Sequence, residues 1–139
     1  MKRKASKFMH DQSGAVAVEF VLIAPILLTL LFGIITVGYF MGVSHSVSQL
    51  AAGAARVSVA EFDVQGRDEA ATAYLDRAAV NYPLLVQEGV NYDVTIESGT
   101  DQAITVAVSY AIDGSLLDIA NGFLGLGITT IDGSAYLAY

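Results

Sequence analysis

From Phe20 to Val43 the chain runs for 24 residues without a charged side chain. At about 1.5 Å per residue a helix of that length spans roughly 36 Å, enough to cross the hydrocarbon core of a bilayer with some tilt. Fifteen of the 24 are Leu, Ile, Val or Phe. At a membrane centre these favour insertion by roughly 7 kcal/mol in sum, before Pro25, Thr29 and the glycines subtract. One carboxylate, Glu19, stands just before the run. An acidic side chain at mid-membrane costs about 3 kcal/mol, and Glu19 sits nearer the edge, so insertion survives it.

Charge divides the chain into two unlike parts. The first fourteen residues hold Lys2, Arg3, Lys4 and Lys7 against one aspartate, net +3, whereas the remainder holds only Arg56, Arg67 and Arg77 against thirteen carboxylates, net −10. The positive-inside bias therefore places the N-terminus in the cytoplasm and exports the acidic remainder. An acidic exported part argues against nucleic acid as a partner. With no cysteine in the sequence, disulfides and thiolate metal sites are excluded. In 139 residues of mean hydropathy +0.54 there is room for one small domain beside the apolar segment.

A secretory signal peptide has an apolar core of about 7 to 15 residues and a small-residue cleavage site after it. This run is too long, and the small-residue stretch Ala51 to Ala55 lies beyond the whole span. A plain signal anchor fits the length but leaves Glu19 without a role. The stretch "GAVAVEF" has a glycine closing the basic leader, a glutamate five residues on, and an aromatic directly after it. It resembles the cleavage and assembly motif of type IV prepilins. The continuation "VEFVLIAPILLTLLFGII" is similar to the TadE-like proteins, minor pilins or pseudopilins of the tight-adherence (Tad, or Flp) pilus system. One departure is "TVGYF" after "FGI", where such chains often carry an acidic residue.

The resemblance implies cleavage by a membrane prepilin peptidase between Gly14 and Ala15, with Glu19 and Phe20 setting the register of subunits during assembly. It implies as partners the membrane, other pilin subunits, that peptidase and the inner-membrane assembly platform. The physical logic is that cleavage creates an ammonium on Ala15 at a helix N-terminus, which itself carries about half a positive charge. A carboxylate in low dielectric is costly without such a partner. The competing reading is that Glu19 marks the interfacial end of a single span and snorkels to water. Pro25 removes one backbone donor and is expected to kink the helix near residue 21, as a hinge or as a tolerated transmembrane proline. Gly38 and Gly42 form a small-x3-small pair suited to close helix approach.

Beyond Val43 the spacing of Val43, Val47, Leu50, Ala51, Ala54 and Val57 continues one apolar helix face to about Ala60. Gly66 is expected to break the helix, and Arg67 to Asn81 to resume it until Pro83. Val90, Tyr92, Val94 and Ile96 alternate with polar residues, as do Ile104, Val106, Val108 and Tyr110, which predicts a β-hairpin turning at "ESGTDQ". A Gly-rich segment with a short helix over Leu116 to Ala120 follows, then a last strand from Ile128 to Tyr139. Two "IDGS" tetrapeptides, at Ile112 and Ile131, share turn chemistry. The expected fold class is α+β: a long N-terminal transmembrane helix continuing into a small domain with a short helix and a two- or three-stranded antiparallel sheet. The expected parts are a leader (1–14), a membrane helix (15–43) and an exported pilin-like domain (44–139).

No constellation of catalytic residues is visible, and no cofactor is expected. His10 lies in the leader and His45 stands alone near the membrane exit, reading as an interfacial helix residue. "GFLGLG" has neither the lysine nor the strand-loop-helix setting of a phosphate loop. Asp63, Asp68, Glu69, Asp93, Glu97 and Asp101 do not follow an EF-hand pattern and read as a solvated acidic face. The leading expectation is a non-enzymatic minor pilin in adherence or secretion, anchored in the inner membrane with its C-terminal domain periplasmic or carried outward in a pilus. The alternative is a single-pass membrane-anchored sensor or binding module. A membrane-tethered hydrolase is a third class, for which the sequence offers no triad.

Overall fold

The computed structural model describes residues 12–99 and 102–139. The basic leader residues Lys2, Arg3, Lys4, Lys7 and His10 lie outside the described residues, as do Thr100 and Asp101 of the expected hairpin turn. One helix, α1 (Gln12–Val59), is followed by α2 (Val64–Leu75), a single-turn α3 (Ala78–Asn81) and a short 3-10 turn (Gln87–Gly89). Then come β1 (Val90–Glu97), β2 (Ala103–Ala111), α4 (Leu116–Leu124) and β3 (Thr130–Ala138). The fold class is α+β with the layout expected of a pilin. By internal packing the chain forms two compact units, Met1–Ile35 and Thr36–Tyr139.

In the second unit, α1 turns Val43, Val47, Leu50, Ala51 and Ala54 inward, all fully buried. These recur every three or four residues, so a single face of the helix supplies one side of the core. Val57, expected on that face, is only half-buried, and Ala55 and Ser58 are buried instead. Ser58 is satisfied by donating from Oγ to the carbonyl of Arg67 at 2.8 Å.

The sheet supplies the other side. Its order is β1-β2-β3, both pairings antiparallel, with Ile104 between Ile96 and Leu137, and Val106 between Val94 and Ala135. The central strand buries Ile104, Val106, Val108 and Tyr110, the alternation expected of one covered face. The last strand is thus the third of a three-stranded sheet, and its inward parity (Ile131, Ala135, Leu137) is the one read from the sequence.

Two local expectations fail for identifiable reasons. Gly66 does not end a helix. The break falls at 60–63, Asp63 caps α2, and its carboxylate accepts the Gly66 N–H at 3.1 Å. A first-turn amide without an intrahelical acceptor is thereby satisfied. The segment 67–81 is two helices, because α2 closes at Asp76 before α3 begins at Ala78. Gln87 spans that corner, donating to the Leu75 carbonyl at 3.2 Å and accepting the Ala79 N–H at 3.3 Å.

The second "IDGS" shares the turn chemistry of the first but lies in the strand expected from Ile128 to Tyr139. At Ile112 the tetrapeptide does turn, with Gly114 at φ 70° and the Ser115 N–H donating to the Ile112 carbonyl at 3.0 Å. At Ile131 the same four residues lie inside β3. There Gly133 faces α1 so closely that an added Cβ would meet Val47 Cγ1 at 3.0 Å and the Ser48 backbone at 3.1 Å.

Tyr92 joins β1 to the α2 corner by donating from its hydroxyl to Asp76 at 2.7 Å. That bond, with burial and the Asp76 charge adding to it, pushes the Tyr92 hydroxyl up to about 12. A tyrosine with a folded value above its unfolded one contributes stability that is complete below about pH 10 and lost as pH rises through about 12. Denaturant unfolding of the second unit is therefore expected to weaken across that window, and Tyr92→Phe to flatten the decline. An unchanged slope in the variant contradicts the assignment.

Candidate functional site

The candidate site is the N-terminal part of α1, built from Gly14, Ala15, Glu19, Phe20 and Pro25. One helix carries all five, so their relations follow from helical geometry. Gly14 and Ala15 lie in the first turn of α1. Glu19 is four residues beyond Ala15, on the same face and about 6 Å along the axis. Leu22, Ile23 and Ile26 continue that face. Phe20, 66% exposed, points about 100° away from Glu19 around the helix.

This surface is unlike that of a soluble helix. Val16, Val18, Phe20, Val21, Leu22 and Ile23 are exposed, and so are the large side chains that follow as far as Ile35 on most positions. Among the described residues α1 is the helix long and apolar enough to cross a membrane, over Gly14–Val59. Glu19 is exposed within it, and among the described residues no side chain pairs with its carboxylate. In lipid such a group requires a partner from elsewhere or a path to water.

Pro25 lies inside α1, which is helical on both sides of it. The Thr29 hydroxyl donates to the Pro25 carbonyl at 2.8 Å, a side-chain bond typical of hydroxyl residues in apolar helices. The small-x3-small pair divides in two. Space around Gly38 is open, but a Cβ on Gly42 would sit 2.9 Å from Leu84 Cδ1. Gly42 therefore serves packing within the second unit and is not free for another helix.

His45 is exposed on α1 and meets Gln49 one turn on. Among the described residues no group of three or more His, Asp or Glu side chains is placed to hold a metal ion. The "GFLGLG" segment is partly helix: α4 runs to Leu124, and Gly125 and Gly127 turn the chain at φ 63° and 67°. Phe123 in this segment and Ile119 earlier in α4 are exposed, a placement that the sequence analysis does not single out.

The model of the TadE-like protein family matches residues 14–56. The match takes in the whole candidate site and the helical half of the core, and fits a TadE-like protein of the Tad pilus system. That family is pilus-associated and is not an enzyme family. No curated protein and no solved structure matches the chain.

Proposed function

We propose that the chain is a minor pilin or pseudopilin of a Tad-type pilus, cut after Gly14 by a prepilin peptidase and held in the inner membrane until it joins an assembling pilus. The observation that carries this reading is Glu19, a carboxylate without a partner among the described residues, on an exposed apolar helix within the TadE-like segment. Cleavage supplies what the carboxylate lacks. The new ammonium on Ala15 of a neighbouring subunit, at the positive end of its helix, is a complementary charge fixed at a defined height. Pairing in low dielectric selects one stagger between adjacent helices, because any other leaves two charges unpaired. Phe20 and the apolar side chains around it then pack between subunits, and Pro25 leaves the helix one backbone bond looser beyond the paired charges.

The peptidase, the inner-membrane platform and the other pilins are the partners this reading requires, with the acidic C-terminal part exported. Gly14→Leu tests it. A bulky side chain at the last leader position is expected to block cutting, so the protein from membranes keeps its basic leader and is lost from sheared pili. Retention of function with an intact leader would return the chain to the class of membrane-anchored sensor or binding modules.

A further inference from the structure

The connection between β2 and β3 carries an apolar surface that the fold itself does not use. Helix α4 buries Leu117 and Ala120 but leaves Ile119, Phe123 and Leu124 exposed, along with Leu126 just beyond it, and Phe123 is 82% exposed. The segment is nonetheless fixed at both ends. Ser115 Oγ accepts the Leu117 and Asp118 N–H groups, and the Asp118 carboxylate accepts the Gly114 N–H at 3.0 Å. At the far end the Asn121 side chain donates to the Ile128 carbonyl at 2.8 Å and accepts the Ile128 N–H at 3.1 Å. Gly125 and Gly127 make the turns between. Four large apolar side chains are thus held out on a clamped loop.

Its place in the second unit identifies what covers it. Strand β3 lies along α1, with Gly133 against Val47 and Ser48. Tyr139 stacks under Arg67 at 3.9 Å, and Arg67 Nε donates to the Glu61 carbonyl just past the end of α1. Moving back from Gly133 to Thr130 covers about 10 Å of strand, equal to six or seven residues of helix, which brings the start of β3 level with Phe40 or Met41. A second observation agrees: Tyr39 shares one cleft with Tyr110, Ser115 and Leu116. The α4 connection therefore begins beside the last turns of the uncharged run, where Val37, Phe40 and Met41 are exposed as well.

We infer that α4 and its loop dock on the bilayer surface from which α1 emerges, inserting Ile119, Phe123, Leu124 and Leu126 among the headgroups and upper acyl chains. The inference rests on reading Phe20 to Val43 as membrane-spanning. After Arg77 the chain has no Lys or Arg, so nothing here attracts anionic headgroups, and Asp113 and Asp118 repel them. The ligand is accordingly a zwitterionic lipid surface held by apolar burial, as for other interfacial helices, and the contact is insensitive to salt. Tyr39, only partly buried at this level, suits the amphipathic aromatic belt of a membrane boundary.

The chain lacks cysteine, so single thiols report cleanly. Phe123→Cys, Ile119→Cys, Leu27→Cys and Tyr136→Cys, each labelled with an environment-sensitive dye, are placed as the full chain in phosphatidylcholine nanodiscs holding one copy. At 123 and 119 the emission is expected to shift to the blue, with quenching by lipid spin-labelled near the headgroup and loss of iodide quenching at low and high salt alike. Position 136 is expected to stay open to iodide, and position 27 to be quenched by lipid labelled deep in the chain. Dyes at 123 and 119 that behave like 136, while 27 is lipid-quenched, overturn the docking and leave the span standing. A dye at 27 open to iodide overturns both. Shielding at 123 that appears only when two copies share a disc assigns the patch to a second copy of the chain and overturns the lipid.

Discussion

Cells carrying Glu19→Ala in place of the native protein are expected to cut the leader normally and yet to put little of the protein into pili. The substitution leaves Gly14 and Ala15 untouched, and alanine keeps the helix, since it has the highest helix propensity of any residue. What it removes is the only carboxylate in the first 46 residues after the cleavage point, the next being Glu61. Taking one partner from a charge pair in low dielectric costs roughly 3 to 5 kcal/mol, because the other charge remains unpaired. That corresponds to a loss of roughly two to three and a half powers of ten in the association constant. Glu19→Gln, which keeps the shape and loses the charge, is expected to fail as well, whereas Phe20→Leu is expected to weaken incorporation less. The readout is the ratio of the protein in sheared pili to that in membranes. Normal incorporation of Glu19→Ala would remove the register role and leave an interfacial carboxylate that reaches water.

Gly133→Val is expected to unfold or loosen the second unit, with a cost of about 1 to 3 kcal/mol or more. Glycine inside a strand is a conformational cost unless something approaches closely, and here the approaching group is helix backbone. A Cβ at 133 meets the Ser48 N and Cα at 3.1 Å and Val47 Cγ1 at 3.0 Å, so a branched side chain forces β3 away from α1. Val47 and Val108, the cross-strand partner of Gly133, are both buried, and neither has room to yield. A small domain resting on one core has little reserve for such a loss. Gly122→Ala is the opposite case. Nothing lies within 4 Å of its Cβ position inside α4, and removing a helix-interior glycine is expected to stabilise by roughly 0.5 to 1 kcal/mol. Chemical unfolding followed by circular dichroism separates the two. Native-like stability of Gly133→Val would show that the sheet does not seat on the helix at this point.

What the sequence makes legible depends on whether the relevant spacing is local. The buried face of α1 is read correctly from Val43 to Ala54 because helical period and apolar pattern coincide there. Likewise the strands at Val90 to Ile96 and Ile104 to Tyr110 follow from alternation alone. The N-terminal motif is also linear, so Gly14, Ala15 and Glu19 can be proposed as its residues without any fold. Errors arise where a residue is chosen for a distant neighbour. Gly42 looks like a membrane packing residue until Leu84 is placed over it, and Gly66 looks like a helix breaker until Asp63 caps its amide. Ile119 and Phe123 carry the signature of a core in a segment whose core contacts are Leu117 and Ala120. No sequence period distinguishes a face turned to protein from one turned elsewhere.

The central claim is that Ala15 becomes the first residue of the mature protein. Its most direct test is the N-terminal mass of protein extracted from membranes of cells with and without the prepilin peptidase. The account predicts a start at Ala15 in the first and an intact leader in the second. A Met1 start in both, or a cut beyond Val43, would contradict it and leave Glu19 without its neighbouring amine.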